Sequence, residues 1–569
     1  MRQPPIGRRA FLRAVPAGLA AGAAPRLAAG QPPAEFPDAG SLASAGSLAD
    51  LDFTEAEHEL MRAAVARNRR RYGQLRSVAI GPEREPAIHF DPSHVAGRPA
   101  GRATPHAAQP YERVPDGETP SSLEALAFAP LTLLASRLER RQVTATALAE
   151  MYLARLARYG ELLRCVVTPT PELARAQAAE ADREIAAGRY RGPLHGVPWG
   201  AKDLLATAGI PTTWGARPFA DQVFDYDATV VERLRDAGAV LVAKLSTGAL
   251  ARGGVWFGGS TRNPWDVTRS SSGSSAGPGA ATAAGLVAFA IGSETLGSII
   301  SPSAACGVTG LRPTYGRVSR HGAMALSWTM DKIGPMCRRA EDCALVLNAI
   351  YGPDGRDGTA IDAPFQWRPD LDLRRLRIGY VARELDEPRG DATGEQREVL
   401  AAALDVLRET GATLVPVELP DFPADALRIV LEAESAAAFD DLTLSGGVDE
   451  LTRQTADAWP NSFRASRYIP AVEYLRAQRA RTLLIERLEG LLAGVDVFVS
   501  PSRSAGLAMT NLTGHPAVAV KAGFAVGLPV ALMVTGRLYD EATVLGVAHA
   551  YEQRTPWGGM HPDLEGRAV

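Results

Sequence analysis

At 569 residues, with 46% hydrophobic and 22% charged residues and a formal net charge of -3, the chain has the balance of an ordinary water-soluble globular protein with material for a large core. No basic surplus calls for nucleic acid as a partner. Four cysteines are too few for a disulfide framework and match no zinc spacing, so all four are read as small buried hydrophobes. Cys337 and Cys343 are read into one helix, where their separation points them to different faces and prevents pairing.

The first stretch differs from the rest. Arg8 and Arg9 precede Phe11 and Leu12, and an Ala- and Gly-rich apolar run continues to Ala29, the order of a twin-arginine export signal over residues 1–30. Leu27-Ala28-Ala29-Gly30 offers a cleavage site. The run is too short to span a bilayer and no Cys follows it, so stable membrane anchoring is not expected. The expected location is periplasmic or extracellular, reached in the folded state.

Residues 31–120 read as a helix followed by an extended strap. Thr54 with Glu57 forms a capping box for a helix running towards Arg71, and Arg67, Arg69, Arg70 and Arg71 complement the dipole at its end. From Pro82 to Pro120 the chain is rich in Pro, Gly, Arg and His without periodicity. Residues 121–569 read as the compact domain, opened by a second capping box, Ser121 with Glu124, and by helical patterns through Gly188.

Pro198 to Lys202 then forms a short strand with a single Lys at its end. Thr229 to Gly238 is helical, and Ala239 to Lys244 is an apolar run typical of a strand buried on both faces. Strands follow at Leu376 to Val381, Ala412 to Val417, Val495 to Ser500, Pro516 to Val520 and Pro529 to Val534. Helices are expected over Glu395 to Thr410 and Ala471 to Leu492, with a turn at Asn511 to Gly514. This alternation predicts an α/β fold with a mostly parallel sheet.

The stretch from Ser270 to Pro313 carries the chemistry: two serine-bearing glycine loops bracket an Ala-rich run. GSSAG (Gly273 to Gly277) fits a nucleophile-elbow pattern centred on Ser275, but the polar, Pro-containing residues before it read as a loop where an elbow needs a strand. Its partner would be His515, His549 or His561, none of which sits in a demanding motif. No phosphate-loop Lys follows the glycines. A flexible linker would not lead into a buried helix and strand.

GSSAG, then GSETLGSI, then CGVTGLRPT resemble in register the signature of the amidase signature family, whose pattern runs GGSSGGS, spacer, GTDTGGSIR, CGVVGLKPT. GVPWGAKD upstream, and NLTGHPAVAV with GLPVALMVTGR downstream, are similar to its other hallmarks. The resemblance covers about Ser121 to about Glu552. It implies a large mixed, mostly parallel sheet covered by helices on both faces, to which the N-terminal helix and strap would be an extension.

Position by position, the resemblance makes Ser298 the nucleophile, Ser274 the bridging serine after a cis peptide bond, and Lys202 the general base. Thr295, Leu296, Gly297 and Ser298 would offer backbone N–H groups as an oxyanion hole. A Lys can serve as base only if burial holds it neutral, which suits the end of a buried strand. The family implies no cofactor and no metal, a small-molecule amide as substrate, and leaves a homodimer open. The related glutamine-hydrolysing subunit of a tRNA amidotransferase, or a non-catalytic binding protein on the same scaffold, are the alternatives. Departures stand at Glu294, where the family has Asp, at Leu296 for Gly, and at Ile300 for Arg, which puts the ion pair bracing this loop in question. Trp199, Trp256, Trp328 and Trp459 are candidates for an aromatic wall, and Gly446 to Pro470 for the acyl pocket.

Overall fold

Apolar runs too short for helices, such as Val240 to Leu245, collect into the centre of the molecule. The computed structural model describes residues 37–81, 85–88, 122–386 and 393–565. The twin-arginine stretch, its cleavage site and most of the Pro82–Pro120 strap lie outside the described residues. The strands are β1 (Val166–Pro169), β2 (Pro198–Lys202), β3 (Val240–Leu245), β4 (Val255–Trp256), β5 (Gly259–Ser260), β6 (Phe289–Glu294), β7 (Thr309–Arg312), β8 (Lys332–Cys337), β9 (Arg377–Val381), β10 (Thr413–Val417), β11 (Val497–Pro501), β12 (Ala517–Ala525) and β13 (Leu528–Gly536). Eleven of them form one mixed sheet in the order β1-β3-β2-β6-β8-β7-β12-β13-β11-β9-β10, while β4 and β5 pair as a small ribbon. Every residue of β2, β3, β7, β8 and β11 is buried, as strands covered by helices on both faces must be.

The expectation of a mostly parallel sheet needs correcting: six of the ten neighbouring pairs are antiparallel. Parallel pairing is confined to β3-β2-β6 and β11-β9-β10. The physical reason is that burial on both faces, which a continuous apolar run reports, comes from the helical layers and not from strand direction. The long β12–β13 hairpin closes on Val526 and Gly527, both at positive φ, and fixes one antiparallel pair locally. Strand β8 was not expected, because Pro335 in KIGPMC lacks the N–H of a central strand residue; it pairs with β6 along its length and meets β7 only at Met336 and Cys337.

The Thr54–Glu57 capping box forms as expected, with Thr54 N donating to Glu57 Oε2 (2.7 Å), and opens the helix Glu55–Ser77. That helix runs past Arg71 because Tyr72 and Leu75 continue its buried stripe. Arg71 is therefore no dipole complement at a solvated end: it is buried against Glu432 (2.7 Å) and Asp425 (3.4 Å). Tyr72 and Leu75 join an apolar cluster with Met330, Leu427, Met509 and Leu512, so the N-terminal helix is built into the main body. Of the second expected capping box, Ser121 lies outside the described residues. Leu123–Phe128 is a short 3-10 turn with Ser122 at its N-cap and no side-chain cap, and Glu124 pairs with Arg155. Asn511 lies inside the helix Ala505–Thr513, and only Gly514, at φ 77°, makes the turn. Cys337 ends β8 while Cys343 sits in the helix Ala340–Ile350; all four cysteines are free and buried.

Candidate active site

β2 and β6 run parallel side by side, so Lys202 and Glu294, the last residues of each, reach the same carboxyl edge of the sheet. The loop carrying Ser274 and the turn carrying Ser298 flank that edge, joined by the small-residue helix Ala276–Ala283 and β6. Gly273 is required by close approach: a Cβ there would stand 1.9 Å from the carbonyl oxygen of Gly253. The Gly273–Ser274 peptide is cis, as expected.

Lys202 is fully buried, and its Nζ lies 2.8 Å from Ser274 Oγ, 2.9 Å from Ser275 Oγ and 2.9 Å from Ser293 Oγ. Among the described residues no carboxylate touches it. The neighbouring Asp203 is turned away to the Thr213 N–H (3.1 Å) and to Lys244 (3.4 Å). Burial pulls the Lys202 pKa down to about 7, against the more distant Asp331 and Glu294, which favour the charged form. A large part of the Lys202 population is thus a neutral amine near neutral pH.

Ser275, the candidate elbow serine, has no histidine partner among the described residues. Its hydroxyl donates to the Ser293 carbonyl (3.0 Å) and accepts from the Ser293 N–H and Lys202, while His515 is held by Thr513 and Glu489. The Ser275 N–H donates to the Ser298 carbonyl (3.1 Å), which ties the two serine loops together. Ser298 is half-buried. Among the described residues no hydrogen bond joins its hydroxyl to Ser274 or to any other group.

The turn before Ser298 leaves its donors open. Gly297 has φ 93°, a left-handed conformation that favours glycine, whereas Leu296 keeps negative φ, so a side chain is tolerated there. Among the described residues the backbone N–H groups of Thr295, Leu296, Gly297 and Ser298 have no partner within the protein. Thr295 is steadied from its side chain, which donates to Asp331 Oδ1 (2.6 Å). Leu296 packs against the cluster that holds Met330, Met509 and Leu512.

Glu294 answers the question left by Ile300. Its Oε2 accepts the N–H groups of Ile299 (2.7 Å) and Ile300 (2.8 Å), and its Oε1 accepts from Arg312 (2.9 Å) and Asn511 (2.7 Å). Burial works to raise its pKa, but Arg312 and Lys332 outweigh this and hold the carboxyl below its ordinary value. Ile300 is buried among Ala517, Ala519 and Met533, so an apolar contact takes the place of a charge there while Arg312 supplies the ion pair. Arg312, Lys332, Asn511, Asp331 and Ser293 were not singled out from the sequence. Arg312 and Asn511 fall inside the CGVTGLRPT and NLTGHPAVAV segments, where that signal was present. Of the four candidate wall residues Trp199, Trp256 and Trp459 are buried, and Trp328 is 48% exposed.

A serine on a turn of open N–H donors, together with a buried lysine whose charge burial disfavours and which is bonded to a second serine, is a layout suited to acyl transfer. Residues 147–506 match the family model described as Amidase. The chain is 37% identical over 490 residues to the A-type component of a glutamyl-tRNA(Gln) amidotransferase from a Roseiflexus species, covering 76% of this chain and 98% of that one. It is similar to the solved peptide amidase of Stenotrophomonas maltophilia, with 32% identity, a TM-score of 0.68, and 76% and 98% of the two chains covered. An amidase family protein from Bacillus anthracis superposes with a TM-score of 0.70 at 25% identity, covering 79% of this chain and 96% of that one. The chain belongs to the amidase signature family.

Proposed function

We propose that the protein hydrolyses the C–N bond of a carboxamide through an acyl-enzyme on Ser298, with Ser274 as proton relay and Lys202 as base. The observation that carries this reading is the sealed Lys202 Nζ, 2.8 Å from Ser274 Oγ and without a carboxylate to hold it charged. As Ser298 Oγ attacks the carbonyl carbon, its proton passes to Ser274 while the Ser274 proton passes to Lys202. Catalytic hydrogen bonds such as Ser274 to Ser298 often close only around substrate. The N–H groups of Thr295 to Ser298 meet the oxyanion, where each donor is worth on the order of 3 kcal/mol. The relay then returns the proton to the leaving nitrogen, the C–N bond breaks, and water, deprotonated by the same route, releases the acid. Esters of the same acids would be turned over as well.

A fluorophosphonate reagent tests the assignment: the adduct is expected on Ser298, and an adduct on Ser275 with Ser298 unmodified would overturn it. Lys202→Ala is expected to abolish amide turnover. The Arg8–Arg9 motif adds the proposal that the enzyme is exported, checked by whether a fusion of residues 1–30 to a reporter crosses the inner membrane in a twin-arginine-dependent way. The likeness to the amidotransferase components favours a second reading, glutamine hydrolysis within a complex. Against it stands the N-terminal helix packed into the body, since about a quarter of this chain lies outside the match. Turnover of simple amides by the purified chain alone, without other proteins, separates the two.

A further inference from the structure

The loop after β3 carries a cation that the proposed chemistry leaves unused. Gly248 N donates to the Ser274 carbonyl (3.3 Å), and the carbonyl of Gly253 is the atom packed against Gly273, so residues 248–253 form the outer wall of the Ser274 loop. Within that wall Leu250 and Ala251 both have positive φ, 49° and 59°, an unfavourable pair of conformations for side-chain-bearing residues. The backbone is held there by the Leu250 N–H to the Trp214 carbonyl (2.9 Å) and by Trp459 Nε1 to the Leu250 carbonyl (2.9 Å). What this conformation presents is Arg252.

The Arg252 guanidinium stacks over the Trp459 ring at 4.6 Å and donates from Nη1 to Ser462 Oγ (3.1 Å). Its Nε and Nη2 meet no acceptor among the described residues, and no carboxylate among them lies within ion-pair distance. Burial pushes the guanidinium below its ordinary value; Asp457 and Glu432 act against that push, while Arg428 and Arg453 add to it. Those carboxylates are already spoken for, Asp457 by Arg453 (2.7 Å) and Glu432 by Arg71 (2.7 Å). A half-buried cation with open donors is favourable when an anion completes it. Arg252, Ala249, Leu451, Arg453, Trp459 and Pro460 line a small cleft that opens to solvent, so an anionic group can reach the guanidinium from outside. Leu451 to Pro460 lies within the stretch from which the sequence led us to expect the acyl pocket.

We propose that this cleft is a subsite for an anionic group of the substrate, so that the amides preferred by the enzyme carry a carboxylate that Arg252 binds in fork geometry. The subsite rests on the amidase reading for its place in the reaction, but not for its detection. Binding is measured on the full chain with Ser298→Ala, by calorimetry, using the monoamides of dicarboxylic acids of four to six carbons against neutral amides of equal length. At least one charged amide is expected to bind tenfold or more tighter than its neutral partner, with Arg252→Gln removing the difference and Arg252→Lys restoring part of it. With Arg252 intact, raising the salt from about 0.02 M to about 0.5 M is expected to shrink the preference, which keeps the test informative if Arg252→Gln does not fold. Equal binding of charged and neutral amides, a preference untouched by Arg252→Gln, or one indifferent to salt overturns the proposal. Selective binding without turnover of any amide by the unmodified enzyme would instead count against the amidase reading alone.

Discussion

Glu294 and Arg312 form the ion pair beneath the Ser298 turn, 2.9 Å apart with both side chains sealed from solvent. The carboxylate faces upward as well, accepting the N–H groups of Ile299 and Ile300, so one buried residue links β6, β7 and the start of the helix Ile300–Cys306. Glu294→Gln leaves Arg312 without its counter-charge. A loss of about 3–5 kcal/mol is expected in denaturant unfolding, because a buried charge stripped of its partner is far costlier than the pair itself is stabilising. Glu294→Asp keeps the charge but withdraws it by one methylene, and is expected to cost less stability while slowing turnover through a loosened Ser298 turn. An unchanged unfolding midpoint for Glu294→Gln would contradict this account.

The amine form of Lys202 sets a pH profile. With its pKa near 7 in the folded protein, kcat/KM is expected to rise as pH passes through about 7 and to level off above it. Stability at this site moves in the same direction. Because the folded pKa lies below the unfolded value of 10.5, the unfolded chain binds the extra proton between the two, and stability contributed at this site increases with pH across about 7 to 10.5. Comparing the wild type with Lys202→Met isolates that site from the other buried lysines: the stability advantage of Lys202→Met should shrink steadily across the same window. A pH-independent difference would mean that Lys202 is not neutral in the fold.

Leu296 stands where the family has glycine, with its N–H open and its side chain in the cluster of Met330, Met509 and Leu512. Leu296→Gly is expected to cost about 2–3 kcal/mol, from lost burial and from the added freedom of the unfolded backbone. Because the contribution to the turn is a backbone donor, kcat on a small amide should fall by less than about tenfold, well short of the loss from Lys202→Ala. Calorimetric unfolding and steady-state rates on the same sample separate the two effects.

Leu75 lies in that same cluster and is fully buried, although it belongs to the N-terminal helix. Leu75→Ala is expected to destabilise the protein by about 2–4 kcal/mol in a single cooperative transition. A separate early transition, leaving the main unfolding unchanged, would show that the helix Glu55–Ser77 is only an appendage.

Local signals were legible in the sequence where residue type alone decides the geometry. The Thr54–Glu57 box, the helix Ala471–Leu492 and the lysine closing β2 emerged where expected. The pairing partners were not legible. Pro335 masked β8, and with it Lys332, which sits directly opposite Glu294 in the β6–β8 ladder. Asn511-Leu512-Thr513-Gly514 has the composition of a turn, yet Asn511 is helical because its side chain donates to Glu294 and to the Leu507 carbonyl (2.9 Å). Each miss is a tertiary contact overruling a local preference.

The cysteines bear on how such a chain is made. None is bridged, all four are out of solvent, and burial alone pushes the Cys165 thiol up to about 12. A thiol out of reach of solvent neither forms mixed disulfides nor awaits an oxidant. With all four thiols buried and unbridged, the fold of the described residues calls for no oxidant.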